Sequence, residues 1–226
     1  MKYDLHIHSC LSPCSEDEMS INNMINMALI KELDLISVTD HNCMKNQKVI
    51  AKVAREKGLR YLYGVEVQTS EDVHVLCYFK KEEYVDKMQT YLDTHLPKIK
   101  NNTQFFGHQY CMNEYDEVIE EYPWLLLNSL DVSLSELVHF VHQNEGHVVL
   151  AHIYKLSNGI IHHLGFIPKE LAFDGVELKS KDEEKQLYQS HPWMSNIEVY
   201  YNSDAHQLID IQEAIHTLEK GGWFYE

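Results

Sequence analysis

The chain has 226 residues, 44% of them hydrophobic and 24% charged, a globular composition that excludes a disordered tail, a collagen-like repeat and a disulfide miniprotein. Nineteen Lys and Arg stand against 35 Asp and Glu, and a net charge of −16 argues against an extended nucleic-acid surface. No apolar run reaches the roughly 18 residues a membrane helix needs. The start, MKYDLHIHSC, is not a signal peptide, and five scattered Cys fit free thiols in a reducing cytoplasm. The 15 His are unusually many.

In chain order, Tyr3–Ile7 is a strand and Ser20–Leu33 a helix, with Ser20 as N-cap and Met24, Met27, Ala28 and Ile30 near helical spacing. Leu35–Thr39 is a second strand, and Gln47–Lys57 a helix closed by Gly58. Leu59–Val67 and Val73–Phe79 read as strands across the turn Ser70–Asp72, and Glu82–His95 as a helix stopped near Pro97. Residues 97–124 are the least regular stretch and read as an insertion with short helical pieces. The pattern resumes with a helix, Ser133–Asn144, and strands at His147–Ala151, Gly175–Leu178 and Ile197–Tyr201. A last helix is expected over Asp210–Lys220. Repeated strand-then-helix units predict a single α/β domain over 1–226, built on a parallel sheet or barrel of seven strands.

The chemistry-bearing residues fall near strand ends. His6 and His8 form an H-x-H pair at the end of the first strand, where i and i+2 share a face and can meet one metal ion. Asp4 is placed to orient that pair. His41 follows the second strand, Glu66 ends the third, and His74 begins the fourth. His152 follows Val148–Ala151, and Asp204 and His206 form a D-x-H pair after the last strand. Each residue alone has a bland reading. Their shared placement favours a multinuclear site, because strand ends of a barrel converge on one mouth and a carboxylate can bridge two ions.

Six motifs in this order resemble the PHP family, the polymerase and histidinol phosphatase domain: Asp4-Leu5-His6-Ile7-His8-Ser9, Thr39-Asp40-His41-Asn42, Gly64-Val65-Glu66, His74-Val75-Leu76, Ala151-His152 and Ser203-Asp204-Ala205-His206. The stretches Leu164–Pro168 and Phe106–Gln109 look like those of small stand-alone members. The resemblance implies a distorted (β/α)7 barrel holding two to three divalent ions of zinc, manganese or iron. It implies a first ion on His6, His8, Glu66 and Asp204, and a second on Glu66, His74 and His152, with Glu66 bridging. A third would sit on His41, His206 and one ligand from the loop after His8, where the family alignment points to Glu16, with Asp17 as competitor.

The resemblance also implies a hydrolase acting on a phosphate mono- or diester through a metal-bridged hydroxide, with Asp204 a candidate for handling protons. Small PHP phosphoesterases tend to carry Arg three residues after the Ala-His histidine. Here that slot is Lys155, a cation without bidentate geometry, expected to meet a phosphate oxygen. His108 stands where many relatives have an acid or amide. The partner expected is a phosphate ester, possibly a nucleotide. A 5′-to-3′ exonuclease or oligonucleotide hydrolase, a metal-binding module without activity, and an amidohydrolase are the alternatives. The pair Cys10 and Cys14 suggests zinc, but no second Cys pair completes a structural site, so it reads as a loop.

Overall fold

In the computed structural model, which describes residues 1–225, the chain folds as a mixed α/β structure. Strand β1 (Tyr3–Ile7) leads through α1 (Ile21–Ile30) to β2 (Leu35–Val38), and α2 (Gln47–Glu56) leads to β3 (Arg60–Tyr61) and β4 (Tyr63–Gln68). Next come β5 (His74–Phe79), α3 (Glu83–His95), α4 (Thr103–Phe106), and a hairpin of β6 (Tyr110–Met112) and β7 (Val118–Glu121). The remainder is α5 (Leu134–Gln143), β8 (His147–Leu150), α6 (Ile160–Leu164), β9 (Gly175–Glu177), α7 (Lys181–Ser190) and β10 (Glu198–Tyr200).

Two main sheets form, one ordered β1-β2-β3 and one β10-β9-β8-β5-β4. The expected strand Leu59–Val67 breaks at Leu62, so that β3 pairs with β2 while β4 joins the larger sheet. This break is the seam between the sheets. Their edges meet again through isolated parallel bridges, Ile7 to Ala205 and His41 to Glu66, placed beside the chemistry-bearing residues. Gly64 lies at the seam, where a Cβ would stand 2.3 Å from Ser37 Oγ. Only glycine lets β2 and β4 approach this closely.

Two expectations are corrected. The sheet is not wholly parallel: β5 runs antiparallel to both β4 and β8, because the short turn after Gln68 makes β4–β5 a hairpin. That reversal brings the start of β5, with His74, to the end of the sheet where β4 and β8 finish. The expected helix over Asp210–Lys220 is absent; a short 3-10 turn at Leu208–Asp210 leads into irregular chain. Its apolar residues do not form a buried stripe, since Ile211 is buried while Ile215, four residues on, is exposed. Tertiary bonds take the segment instead: Gln212 Nε2 donates to Tyr3 O and the Leu218 amide to Met1 O.

Alternation along the strands sorts the core. Val65, Val75, Cys77, Val148 and Leu150 face the helices, packed with Met88, Leu92, Leu137 and Val141 of α3 and α5. Leu5, Leu76, Tyr78 and Val149 form an inner apolar cluster. Strict alternation would put Leu5 and His6 on opposite faces. An irregularity between Asp4 and Ile7 in the β1–β2 pairing relaxes that rule, and His6 meets Glu66 while Leu5 joins the inner cluster. The residues expected to carry the chemistry therefore stand at one end of a dry floor.

Candidate metal centre

Six imidazoles and three carboxylates gather there. His6 and His8 are fully buried. His6 Nδ1 lies 3.0 Å from both oxygens of Glu177. A carboxylate only accepts, so Nδ1 carries a proton, and Nε2 is the nitrogen turned to the cluster. His8 Nδ1 lies 3.1 Å from Ser12 Oγ, whose own hydrogen goes to Asp40 Oδ1 at 2.7 Å. The hydroxyl therefore accepts from His8 Nδ1, and His8 Nε2 keeps its lone pair. The two Nε2 atoms face each other at 3.1 Å, a contact bridged by a proton on His6 and equally open to a shared metal ion.

Carboxylate oxygens extend the set. Glu66 Oε1 is 3.4 Å from His6 Nε2, Glu66 Oε2 is 3.4 Å from His8 Nε2, and Asp204 Oδ1 is 3.4 Å from both. Bonds of about 2.0–2.2 Å in a tetrahedron give ligand–ligand edges of about 3.3–3.6 Å. The contacts of His6 and His8 with Glu66 and Asp204 thus stand near the edge lengths a divalent ion such as zinc requires, with Glu66 turning a different oxygen to each ring. On its other side Glu66 Oε1 meets His74 Nδ1 at 2.8 Å and His152 Nε2 at 3.0 Å. His41 Nδ1 lies 3.0 Å from Glu66 Oε2, yet both are buried atoms without a hydrogen bond. The nitrogens of His8, His41 and His206 form a further group within 4.8 Å of one another. His206 Nδ1 donates to the carbonyl of Asp204 at 2.8 Å, which leaves its Nε2 as the acceptor.

The electrostatics fit the same picture. Burial alone would raise the Glu66 carboxyl, but the charges of His74, His6 and His41 outweigh it and hold it well below the usual carboxylate range. Burial also opposes charge on His41, yet Cys14 and Glu66 draw its imidazole up to about 10. Burial pulls His74 down to about 4 despite the adjoining Glu66. Burial and the neighbouring His41 push His8 well below its ordinary value. Burial also opposes charge on His6, yet Glu177 and Glu66 draw it well above its ordinary value, so ionised carboxylates here face a mix of charged and neutral imidazoles. Imidazole with carboxylate is the donor set of divalent zinc, manganese or iron, and an ion would take the place of the protons these rings hold. His152 and Asp204 hold positive φ angles of 26° and 55°, left-handed backbone that costs non-glycine residues about 1–3 kcal/mol each and is found at functional sites.

The other expected residues have definite places. Asp4 does not touch an imidazole. It accepts from the Ser203 amide at 3.2 Å and hydroxyl at 2.6 Å and from the Gln212 amide at 3.1 Å, so it anchors the segment carrying Asp204 and His206. Lys155 lines a cavity of about 320 Å³ with Glu66, His74 and Asp204, its Nζ 2.6 Å from Asp204 Oδ2. Burial disfavours the ammonium, but Asp204 keeps Lys155 above its ordinary value. Glu16, Asp17 and Cys14 are all exposed and, among the described residues, none of them belongs to a converging ligand group. Of the three, Cys14 lines the cavity, with His41 and His206. Burial would raise its thiol, but the charge of His41 and hydrogen bonding with His206 and His41 bring it down to about 6. His108 stacks on Tyr110 and meets Glu121 at 2.8 Å, a structural use on the β6–β7 hairpin. A larger cavity of about 500 Å³ beside α7 and the C-terminal segment, with Tyr188, Tyr200 and Tyr201 in its wall, holds no converging His–carboxylate group among the described residues.

Sequence reasoning passed over Glu177, buried at the end of β9. It accepts from His6 Nδ1, from the His152 amide at 3.0 Å and from Asn202 Nδ2 at 2.6 Å. The signal was present, since Glu177 ends its strand as Glu66 ends its own.

Comparison with known proteins agrees with the motif pattern. The sequence matches the PHP domain family over residues 4–206. An uncharacterised protein of Methanocaldococcus jannaschii is 31% identical over 81 residues, which is 31% of this chain and 46% of that protein. Among solved structures, the lesion-specific endonuclease Q of Pyrococcus furiosus superposes with a TM-score of 0.67 at 17% identity, over 92% of this chain and 48% of that one. A candidate metal-dependent phosphoesterase of Bifidobacterium adolescentis superposes with a TM-score of 0.61 at 16% identity, over 90% and 87%. An amidohydrolase of Chromobacterium violaceum, solved with bound sulfate and no metal, gives 0.62 at 17% identity, over 97% and 92%. The chain spans about half the length of the archaeal protein and of endonuclease Q. At these identities the structural likenesses establish the fold. No helix among the described residues is long and apolar enough to cross a membrane.

Proposed function

This chain belongs to the PHP domain family, and from that premise we propose that it is a metal-dependent phosphoesterase acting on a phosphate mono- or diester of small size. The observation that carries the reading is the pair of His6 and His8 Nε2 atoms 3.1 Å apart, with both Nδ1 atoms engaged elsewhere and carboxylate oxygens at 3.4 Å. We read the two sheets and their bridges as the distorted seven-stranded barrel of the family, one domain with residues 97–124 inserted.

His6, His8, Glu66 and Asp204 would hold a first ion, and Glu66, His74 and His152 a second, with Glu66 shared. His41 and His206 would hold a third. Zinc, manganese and iron all suit these donors. Divalent ions in such a site supply Lewis-acid polarisation of a phosphoryl oxygen and activation of water near neutral pH.

The chain's own groups do the rest. Lys155 offers an ammonium at the cavity wall that can turn from Asp204 Oδ2 to a phosphate oxygen, adding a charge-assisted hydrogen bond. Asp204 Oδ2, released by that turn, is the candidate to take and return a proton. Leu76, Tyr78 and Val149 keep water from the floor, so charges above it act in a low dielectric. The acidic surface disfavours long polyanions, and a substrate of one or two nucleotides fits better than duplex DNA.

A phosphate-release screen over sugar phosphates, nucleoside monophosphates and dinucleotides, with added manganese or zinc, tests this. Turnover that chelator abolishes and metal restores is expected. Absence of turnover on every ester in metal-loaded protein would leave a metal-binding module without phosphoesterase activity.

A further inference from the structure

We propose that Cys14 supplies a thiolate ligand to the ion held by His41 and His206, taking the place expected for a loop carboxylate. The inference rests on the metal-centre reading above and adds the identity of its missing ligand.

The loop after β1 is tightly determined. Ser12 and Ser15 amides close successive turns on the Ser9 and Ser12 carbonyls at 2.9 and 3.0 Å, and the Glu16 amide donates to His206 O at 3.0 Å. Gly107, with φ at 101°, packs against Pro13 so closely that a Cβ would meet the Pro13 carbonyl oxygen at 2.2 Å. Pinned at these points, the loop puts Cys14 in the wall of the cavity that His41 and His206 also line. The three following acids, Glu16, Asp17 and Glu18, are exposed as Cys14 is, but none of them lines that cavity.

An independent observation points to a cation at this wall. His41 Nδ1 is buried and faces Glu66 Oε2 at 3.0 Å, an ion-pair contact in which neither atom has hydrogen-bond geometry. Buried polar atoms are rarely left without a hydrogen bond in a folded protein. Cys14 is also set apart from the other four cysteines, all of them buried. Cys10, four residues earlier, turns its Sγ to Met112 Sδ at 3.5 Å. A thiolate beside imidazoles selects a borderline or soft ion such as zinc, iron or cobalt over magnesium or calcium.

Cobalt(II) titration of the chelator-treated chain under reducing conditions tests the proposal, because a cobalt–thiolate bond gives an intense near-ultraviolet charge-transfer band. The band is expected in the parent and in Cys10→Ser, and lost in Cys14→Ser together with about one bound ion per chain. Cys14→Asp is expected to restore the ion without the band. Cobalt uptake by the parent with no such band, or a band that survives Cys14→Ser, overturns the thiolate ligand and leaves the metal centre standing. Failure of the parent to take up cobalt overturns both.

Discussion

Both carboxylate oxygens of Glu177 lie 3.0 Å from Nδ1 of His6, and this contact fixes which nitrogen of His6 is free to bind a metal. Burial would raise the Glu177 carboxyl, but His6 holds it below its ordinary range, so the acceptor is an anion. The pair is a carboxylate–imidazole unit of the kind that orients metal-binding histidines. Glu177→Gln should weaken binding of the tightest ion by about 10–100-fold while the fold survives. Competition with a metal-sensitive dye reads the affinity. An unchanged value would mean that Ser12 and the backbone suffice to hold the His6–His8 pair.

Glu66 and His206 should differ in kind. Glu66 turns one oxygen to His74 and His152 and the other to His8 and His41, so Glu66→Gln should abolish activity and lower total metal content. His206 groups with His8 and His41 and not with Glu66, so His206→Ala should lose about one ion and keep the rest. Equal losses in the two variants, measured by elemental analysis, would contradict a bridging role.

Lys155 tests substrate binding. A charge-assisted hydrogen bond contributes about 1.5–3 kcal/mol, so Lys155→Ala should cut kcat/KM on the best ester by about one to two orders of magnitude. Metal content should stay unchanged, because an ammonium is not a ligand, and Lys155→Arg should retain activity. A change within twofold for Lys155→Ala would reduce Lys155 to a structural partner of Asp204.

His147, at the start of β8, carries a pH-dependent part of the stability. Burial holds its imidazole below the ordinary 6.5, against the opposing pull of Asp174 and Glu198 at 3.7 and 3.8 Å. Its Nε2 meets Tyr200 Oη at 3.3 Å and its ring stacks on Trp223. A depressed folded value means that the native state prefers the neutral ring. The stabilisation is therefore complete above 6.5 and is lost as pH falls through the folded value. The Tm advantage of the parent over His147→Gln should shrink from about pH 7.5 to about pH 5. A gap that widens over that range would reverse the sign.

The two histidines of H-x-H were legible because spacing on a strand fixes a shared face, and Glu66 and His152 because strand ends gather chemistry. His74 was legible as a motif, but its position depended on the β4–β5 hairpin reversing β5, which local propensity does not fix. Glu177 was missed because no neighbouring motif marks it; only the strand-end rule reaches it. The Asp210–Lys220 helix failed where Gln212 and Leu218 bond to the first residues of the chain, a long-range choice that periodicity does not contain. Cys14 was seen but set aside for want of a second Cys pair, since the imidazoles that face it come from distant segments.

The central claim is that divalent ions bind between these side chains and support hydrolysis. Elemental analysis of chain purified without chelator, run beside phosphate release on the same sample, tests it most directly. About two to three ions per chain are expected, with turnover lost and regained as they are removed and restored. Less than about one ion, with no uptake of added zinc or manganese, would contradict it.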